Sequence, residues 1–187
     1  RWVLRVWDHL DPSVNLNRFG YGVCLHIAPA NIPMNFAFSF IMGFMSGNKN
    51  IVRLPSKQFD QISIFLDNYN RVIATDQFMS LQEKNIFVRT ERDSNKLISL
   101  VAQVDALVVW GGDATVSQFR KLDKKPSCIE VYFPDRVSSL VINCEYLLKQ
   151  SSENIRDICI GFYNDTYLVG QNACSSASMI FWYSQDN

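Results

Sequence analysis

The sequence carries no excess charge of either sign: 18 Lys and Arg face 18 Asp and Glu over 187 residues, for a formal net charge of zero. Without a broad positive field there is no general grip on a phosphate backbone, which sets nucleic acid aside as an expected partner. Histidine is scarce, at two, and no two of the five cysteines form a CxxC pair. The ligand set for a metal is therefore missing, and an odd cysteine count fits reduced thiols in a cytoplasmic protein. No cationic segment leads into an apolar one near the start, and the longest apolar stretch, around Phe36 to Met45, is broken by Ser39 and Gly43. Neither a cleaved leader nor a membrane span is expected. The dinucleotide fingerprint GxGxxG is absent too, so no cofactor can be argued from that glycine pattern. Repeats, low-complexity tracts, Gly/Ser linkers and charge blocks are also missing, so nothing in the sequence suggests a tether or a solvated tail.

What is present is a globular composition, 48% hydrophobic and 19% charged, with length for one sizeable core and the opening of a second domain. From Tyr21 the run YGVCLHIAP is apolar and stopped by Pro29, which predicts a buried strand; Met34 to Ser46 then reads as a helix closed by Gly47 and Asn48. The alternation repeats. IVRL at Ile51 to Leu54 precedes a helix from Gln58 to Ala74, on which Phe59, Ile62, Phe65, Leu66 and Tyr69 recur at helical spacing. NIFVRT precedes a helix from Asp93 to Gln103, DALVVW precedes one from Ala114 to Leu122, and SCIEVYF follows. Five strand-like runs separated by helix-like ones predict a Rossmann-like, doubly wound α/β domain with a mostly parallel sheet, because each parallel crossover needs a dozen or so residues.

After Pro134 the character changes to VSSLVI, a helix from about Cys144 to Gly161, the polar loop NDTYLVGQNACSS, and an apolar, helix-like run from Met179 to Tyr183. The expected division is an N-terminal segment over 1–20, a cofactor-binding domain over 21–130, and the start of a catalytic domain over 131–187. Arg1 opens in mid-phrase with Trp2 and Trp7, and Asn187 closely follows an apolar run, so the chain reads as a fragment of a longer protein.

In open α/β sheets ligands bind at the carboxyl ends of the strands, so the informative loops are Pro29 to Pro33, Pro55 to Lys57, Gly111 to Asp113 and Glu130 to Arg136. Gly111 and Gly112 sit where a strand turns into a helix, which suits either a phosphate against bare N–H groups or a tight turn. Among the cysteines, Cys24 and Cys128 lie inside apolar strand runs, and Cys144 and Cys159 bracket a helix. Only Cys174 lies in a polar, small-residue loop, where the N-terminal end of a following helix would stabilise a thiolate. His26, inside an apolar strand, reads as a satisfied core residue.

PANIP at Pro29 to Pro33, GNKNIVRLPSK at Gly47 to Lys57, and QNAC at Gln171 to Cys174 resemble, in content and order, the aldehyde dehydrogenase superfamily. Over nearly the whole chain, HIAPANIPMNFAFSFIMGF, VVWGGDATVSQFRKL, KKPSCIEVYFPDRVSSLVI and NDTYLVGQNACSS look like the long-chain acyl-CoA reductases of bacterial luminescence. That resemblance implies an aldehyde dehydrogenase-like fold and an acyl group taken onto Cys174 as a thioester. The donor would be fatty acyl-CoA or an acylated partner, an acyl-protein synthetase or acyltransferase subunit. Reduction with NADPH, or NADH, would then release a fatty aldehyde, and the full-length protein would be a homo-oligomer.

By the same resemblance Asn31, with Ala30 where the superfamily has tryptophan, supplies an amide to the oxyanion hole together with the backbone N–H of Cys174. Pro29, Arg53, Pro55, Ser56, Lys57, Gly111, Gly112 and Asp113 make up the cofactor-binding set. Arg53 or Lys57 stands in for the superfamily's ribose-contacting lysine, and a cation there favours a 2′-phosphate. Glu130 takes the approximate place of the water-activating glutamate, although the two glycines that follow it are missing. A base and a hydrogen-bonded structural carboxylate both remain open for Glu130, and a strong base would work against a reductase, which must keep water from the thioester. The competing functions are a CoA-acylating or hydrolytic aldehyde dehydrogenase acting on a short aldehyde, and a non-catalytic nucleotide-binding or docking module.

Overall fold

The structure, a computed structural model, describes residues 20–184. Apart from Gly20, the N-terminal segment expected over 1–20 lies outside the described residues. Strands β1 (Val23–Ile27), β2 (Lys49–Arg53), β3 (Asn85–Val88), β4 (Ala106–Trp110) and β5 (Ile129–Phe133) form one parallel sheet in the order β3-β2-β1-β4-β5. Helices α1 (Asn35–Met45), α2 (Asp60–Ile73), α3 (Asn95–Val101) and α4 (Asp113–Arg120) make the crossovers, with a 3-10 stretch at Asp76–Lys84 before β3. The doubly wound α/β fold expected from the alternation of runs is the one observed.

Both faces of the sheet are covered, which is why β1, at its centre, is apolar on nearly every residue. On one face Leu25, Ile27, Leu107 and Val109 pack against Leu97, Val101, Val116 and Phe119 of α3 and α4. On the other, Val52 and Leu54 pack against Phe36 and Phe40 of α1 and Ile62 of α2, with Phe65, Tyr69 and Phe87 around them. The rings meet edge to face, Phe36 and Phe65 at 5.1 Å and Phe40 and Phe87 at 5.0 Å between centroids. Such pairs add about 0.5–1.5 kcal/mol each beyond the area they bury.

His26 is the polar exception in β1, and it is fully satisfied. Asn50 spends its amide N–H groups on the Asn48 carbonyl and Asn85 Oδ1, so its own Oδ1 accepts from His26 Nε2 at 3.0 Å. His26 Nδ1 then accepts from Ser39 Oγ at 2.8 Å, while Ser39 in turn accepts from Trp110 Nε1 at 3.1 Å. Each member of this chain finds a partner only if the imidazole is neutral. Burial pushes His26 below the ordinary histidine range, opposed by the Asn50 hydrogen bond.

A stability change with pH follows. The folded chain refuses a proton that the unfolded chain accepts below about 6.5, so stability is fully present above that value and is lost as pH falls. The slope from this one group, at most about 1.4 kcal/mol per pH unit, sets in below about pH 6.5 and runs down to the lowered pKa of the folded state. Denaturant melts of the chain and of His26→Gln over that window should show the slope in the first and its loss in the second.

Two further strands, β6 (Ser138–Asn143) and β7 (Ala177–Tyr183), pair in parallel as a separate two-stranded sheet, irregular between Ser138 and Ser139. Here the structure departs twice from expectation. The helix expected over Cys144 to Gly161 is two helices, α5 (Cys144–Leu148) and α6 (Ser152–Thr166). Asn143 Oδ1 caps the first by accepting from Tyr146 N, and Ser151 Oγ caps the second by accepting from Asn154 N, so the second cap interrupts the run. The apolar run Met179 to Tyr183, expected to be helical, lies in β7; a short stretch of aromatic and β-branched side chains suits a pleated surface once β6 offers its edge. Among the described residues no helix is long and apolar enough to cross a membrane, and no group of three His, Cys, Asp or Glu could hold a metal ion.

Candidate active site

The chain winds outward from β1 to β3, then crosses back to place β4 on β1's other side, so the crossovers leave β1 in opposite directions. That reversal opens a crevice at the carboxyl ends of β1 and β4, where doubly wound sheets bind ligands. A cleft of about 290 Å³ lies there. Its walls come from the loop after β1 (Pro29, Ala30, Asn31), the turn after β4 (Gly111, Gly112) and the segment after β5 (Asp135, Arg136), and Cys174 reaches it from the second sheet's side. Trp110 and Phe133 also line it, their rings stacked at 3.7 Å between centroids.

Cys174 is exposed, as a nucleophile must be. The loop that carries it does not lead into a helix: β7 follows, so the helix end expected to stabilise a thiolate is not there. Hydrogen bonds hold the loop instead. Asn31 Nδ2 donates to the Asn172 carbonyl at 2.6 Å, and Ser138 Oγ donates to the Cys174 carbonyl at 2.7 Å. Gly170 and Gln171 both take left-handed backbone, at φ 61° and 58°; for Gln171 this costs on the order of 1 kcal/mol. The Asn31 amide has two N–H groups, and its bond to Asn172 uses one of them.

A second hollow of about 300 Å³ lies at the carboxyl ends of β2 and β3, lined by Arg53, Pro55, Ser56, Arg89 and Thr90, among others. Arg53 is 2% exposed, and among the described residues it makes no ion pair, although Glu91 lines the same hollow. Its Nε donates to the Thr90 carbonyl and its Nη2 to Ser56 Oγ, while Nη1 has no partner among the described residues. Burial, with Arg92 nearby, holds the guanidinium below its usual range. Leaving a donor on a buried cation unpaired costs about 1–3 kcal/mol, a penalty that an anion reaching it would relieve. Lys57, the alternative cation, rests its ammonium over the Phe59 ring at 5.1 Å and does not line the hollow.

Of the residues expected from sequence, Pro29, Asn31, Gly111, Gly112 and Cys174 meet in the first cleft and Arg53, Pro55 and Ser56 in the second hollow. Asp113 and Glu130 line neither. Asp113 begins α4, and its N–H donates to Asp135 Oδ2 at 3.2 Å, so a carboxylate already occupies the helix end offered to a phosphate. Gly112 has to be glycine for this approach, since a Cβ there would stand 2.8 Å from the same oxygen. Glu130 lies on β5, ion-paired to Lys124 Nζ at 3.2 Å and accepting a hydrogen bond from Tyr132 Oη. Those partners tie its carboxylate to the loop after α4 and to β5, and it does not line the cleft that holds Cys174. Reading motifs gave no role to Arg92, Ser138 or Asn172; Asn172 lies within QNAC itself, and Arg92 had a signal in its place in the loop after a parallel strand.

Over residues 1–187 the sequence matches the family described as acyl-CoA reductase (LuxC). The chain belongs to this family. No curated protein matches it. Among solved structures it is similar to an NAD-dependent aldehyde dehydrogenase from Sinorhizobium meliloti, at TM-score 0.65 and 16% identity, covering 87% of this chain and 30% of that one. It is also similar to a propionaldehyde dehydrogenase from Rhodopseudomonas palustris with bound propionyl-CoA, at TM-score 0.61 and 18% identity, covering 88% and 34%. At such identities the likeness shows the fold alone, and this chain of the acyl-CoA reductase (LuxC) family spans about a third of the length of those structures.

Proposed function

We propose that the protein reduces a long-chain fatty acyl thioester, from acyl-CoA or an acylated partner, to the fatty aldehyde through an acyl group carried on Cys174. The observation that carries this reading is the exposed Cys174 thiol in a cleft at the sheet's switch point, on a loop hydrogen-bonded to Asn31. In the first half-reaction the Cys174 sulfur attacks the thioester carbonyl carbon, a tetrahedral oxyanion forms, and its collapse breaks the bond to the leaving thiolate. The free N–H of Asn31 and the Cys174 backbone N–H would stabilise that oxyanion. NADPH supplies a hydride when bound. The same two donors stabilise the second oxyanion, whose collapse frees the Cys174 sulfur and releases aldehyde.

The residues present suit the cofactor. Arg53, with an unpartnered Nη1 beside Ser56, supports a 2′-phosphate, and hence NADPH over NADH. Because Glu130 is held by Lys124 and Tyr132, reduction is favoured over hydrolysis. The test follows mass: incubation with a long-chain acyl-CoA should add one acyl group, and NADPH should then remove it from the full-length enzyme as aldehyde. Fragment spectra are needed to place the adduct, because no Lys or Arg lies between Arg156 and Cys174 and one tryptic peptide carries both Cys159 and Cys174. An unmodified Cys174 under these conditions would overturn the reading.

A further inference from the structure

We infer that Arg92 grips the diphosphate of an adenosine-containing ligand where it passes from the second hollow to the first; this rests on the nucleotide reading above. Arg92 lines the cleft that holds Cys174, and its Nη1 donates to Thr115 Oγ1 at 2.8 Å, which fixes the guanidinium to the first turn of α4. Its charge is also felt by Arg53, in the other hollow. Arg92 therefore stands between the place suited to the adenosine end of a ligand and the place where the acyl group reacts. The ion pairs among the described residues are Lys124 with Glu130 and Lys125 with Asp105, so Arg53, Arg89 and Arg92 line one sheet edge without an ion pair there, although Glu91 shares the second hollow and Asp135 the first. With Arg136 also lining the first cleft, four guanidiniums face two carboxylates, Glu91 and Asp135, around the two hollows, an excess that favours a polyanion. The buried, unpartnered Nη1 of Arg53 is the independent sign of a missing anion.

The chemistry explains an absence as well. The fingerprint glycines that would bring backbone N–H groups to a diphosphate are missing, and Asp135 takes the Asp113 N–H at the start of α4. Donors for the phosphate oxygens have then to come from a side chain, and a guanidinium held in place by Thr115 keeps further N–H groups free in a fixed fork. NADPH and acyl-CoA share the adenosine diphosphate unit, so the same grip serves either.

Calorimetric titration of the chain, Arg92→Met and Arg92→Lys with AMP, ADP, NADPH and CoA tests this. The unsubstituted chain should prefer ADP to AMP by about tenfold, the worth of one charge-assisted contact. Arg92→Met should lose that preference with AMP affinity and melting temperature unchanged, and Arg92→Lys should recover part of it. Loss of NADPH affinity, CoA affinity or both would support the grip and say which ligand uses it. Equal ADP preference in Arg92→Met, or parallel loss of AMP and ADP with a lowered melting temperature, would overturn it and leave the nucleotide reading standing. If the unsubstituted chain bound none of the four, that reading would fall and take the Arg92 grip with it.

Discussion

Cys174→Ser is expected to abolish acyl capture: incubated with long-chain acyl-CoA, the variant should carry no adduct, and acyl transfer should fall on the order of 10⁴-fold or more. A hydroxyl needs a base beside it to attack at neutral pH, whereas a thiol is already a far better nucleophile. Ser138 and Asn31 anchor the loop through the Cys174 and Asn172 backbone carbonyls, so the substitution leaves the anchoring bonds in place and should not unfold it. The control is Cys159→Ser. That thiol is also exposed, but it sits on α6 and does not line the Cys174 cleft, so its loss should leave acylation unchanged. Retention of the adduct by Cys174→Ser, or its loss only in Cys159→Ser, would move the chemistry to another residue.

Gly43→Ala sets two effects against each other. In the interior of a helix such as α1, alanine is better than glycine by about 1 kcal/mol, which predicts a more stable protein. Position 43 faces the polar core, though, and an added Cβ would overlap Asn50 Oδ1 and stand 2.7 Å from His26 Nε2. Making room means breaking the bond between those two buried groups and leaving both unsatisfied. Overpacking and two orphaned polar atoms cost about 3 kcal/mol or more, so the clash wins and the variant should be less stable by about 2 kcal/mol or more net. Chemical denaturation of both proteins measures the difference. A more stable Gly43→Ala would mean that the His26 and Asn50 contact yields at little cost.

The crossover fold was legible because its signals are local. Each strand of the large sheet is a short apolar run that ends at a proline, a glycine or a polar turn, and each crossover helix repeats apolar residues at three and four. Such patterns survive without knowledge of neighbours. Where the expectation failed, the deciding partner was distant in sequence or a single capping side chain. MIFWY fits a helix or a strand equally by period, and only β6, nearly forty residues earlier, makes it β7. One serine hydroxyl at position 151 divides the run from Cys144 to Thr166 into two helices.

The candidate site divides in the same way. Motifs in order named Asn31, Arg53 and Cys174, since a family resemblance carries residue identities directly. They did not show that Lys57 turns onto Phe59, that Glu130 is tied to Lys124 and Tyr132, or that Arg92 lines the Cys174 cleft near enough to Arg53 for its charge to be felt there.

By itself the sequence determined the class of fold, the cysteine that stands out and the family, because composition, period and motif order are properties of the chain read one stretch at a time. Only the tertiary structure decided which cations go unneutralised, which carboxylates are already engaged and which loops share a cleft. Those are properties of charges and donors brought together from far-apart positions, and their energies depend on separation in space rather than on distance along the chain.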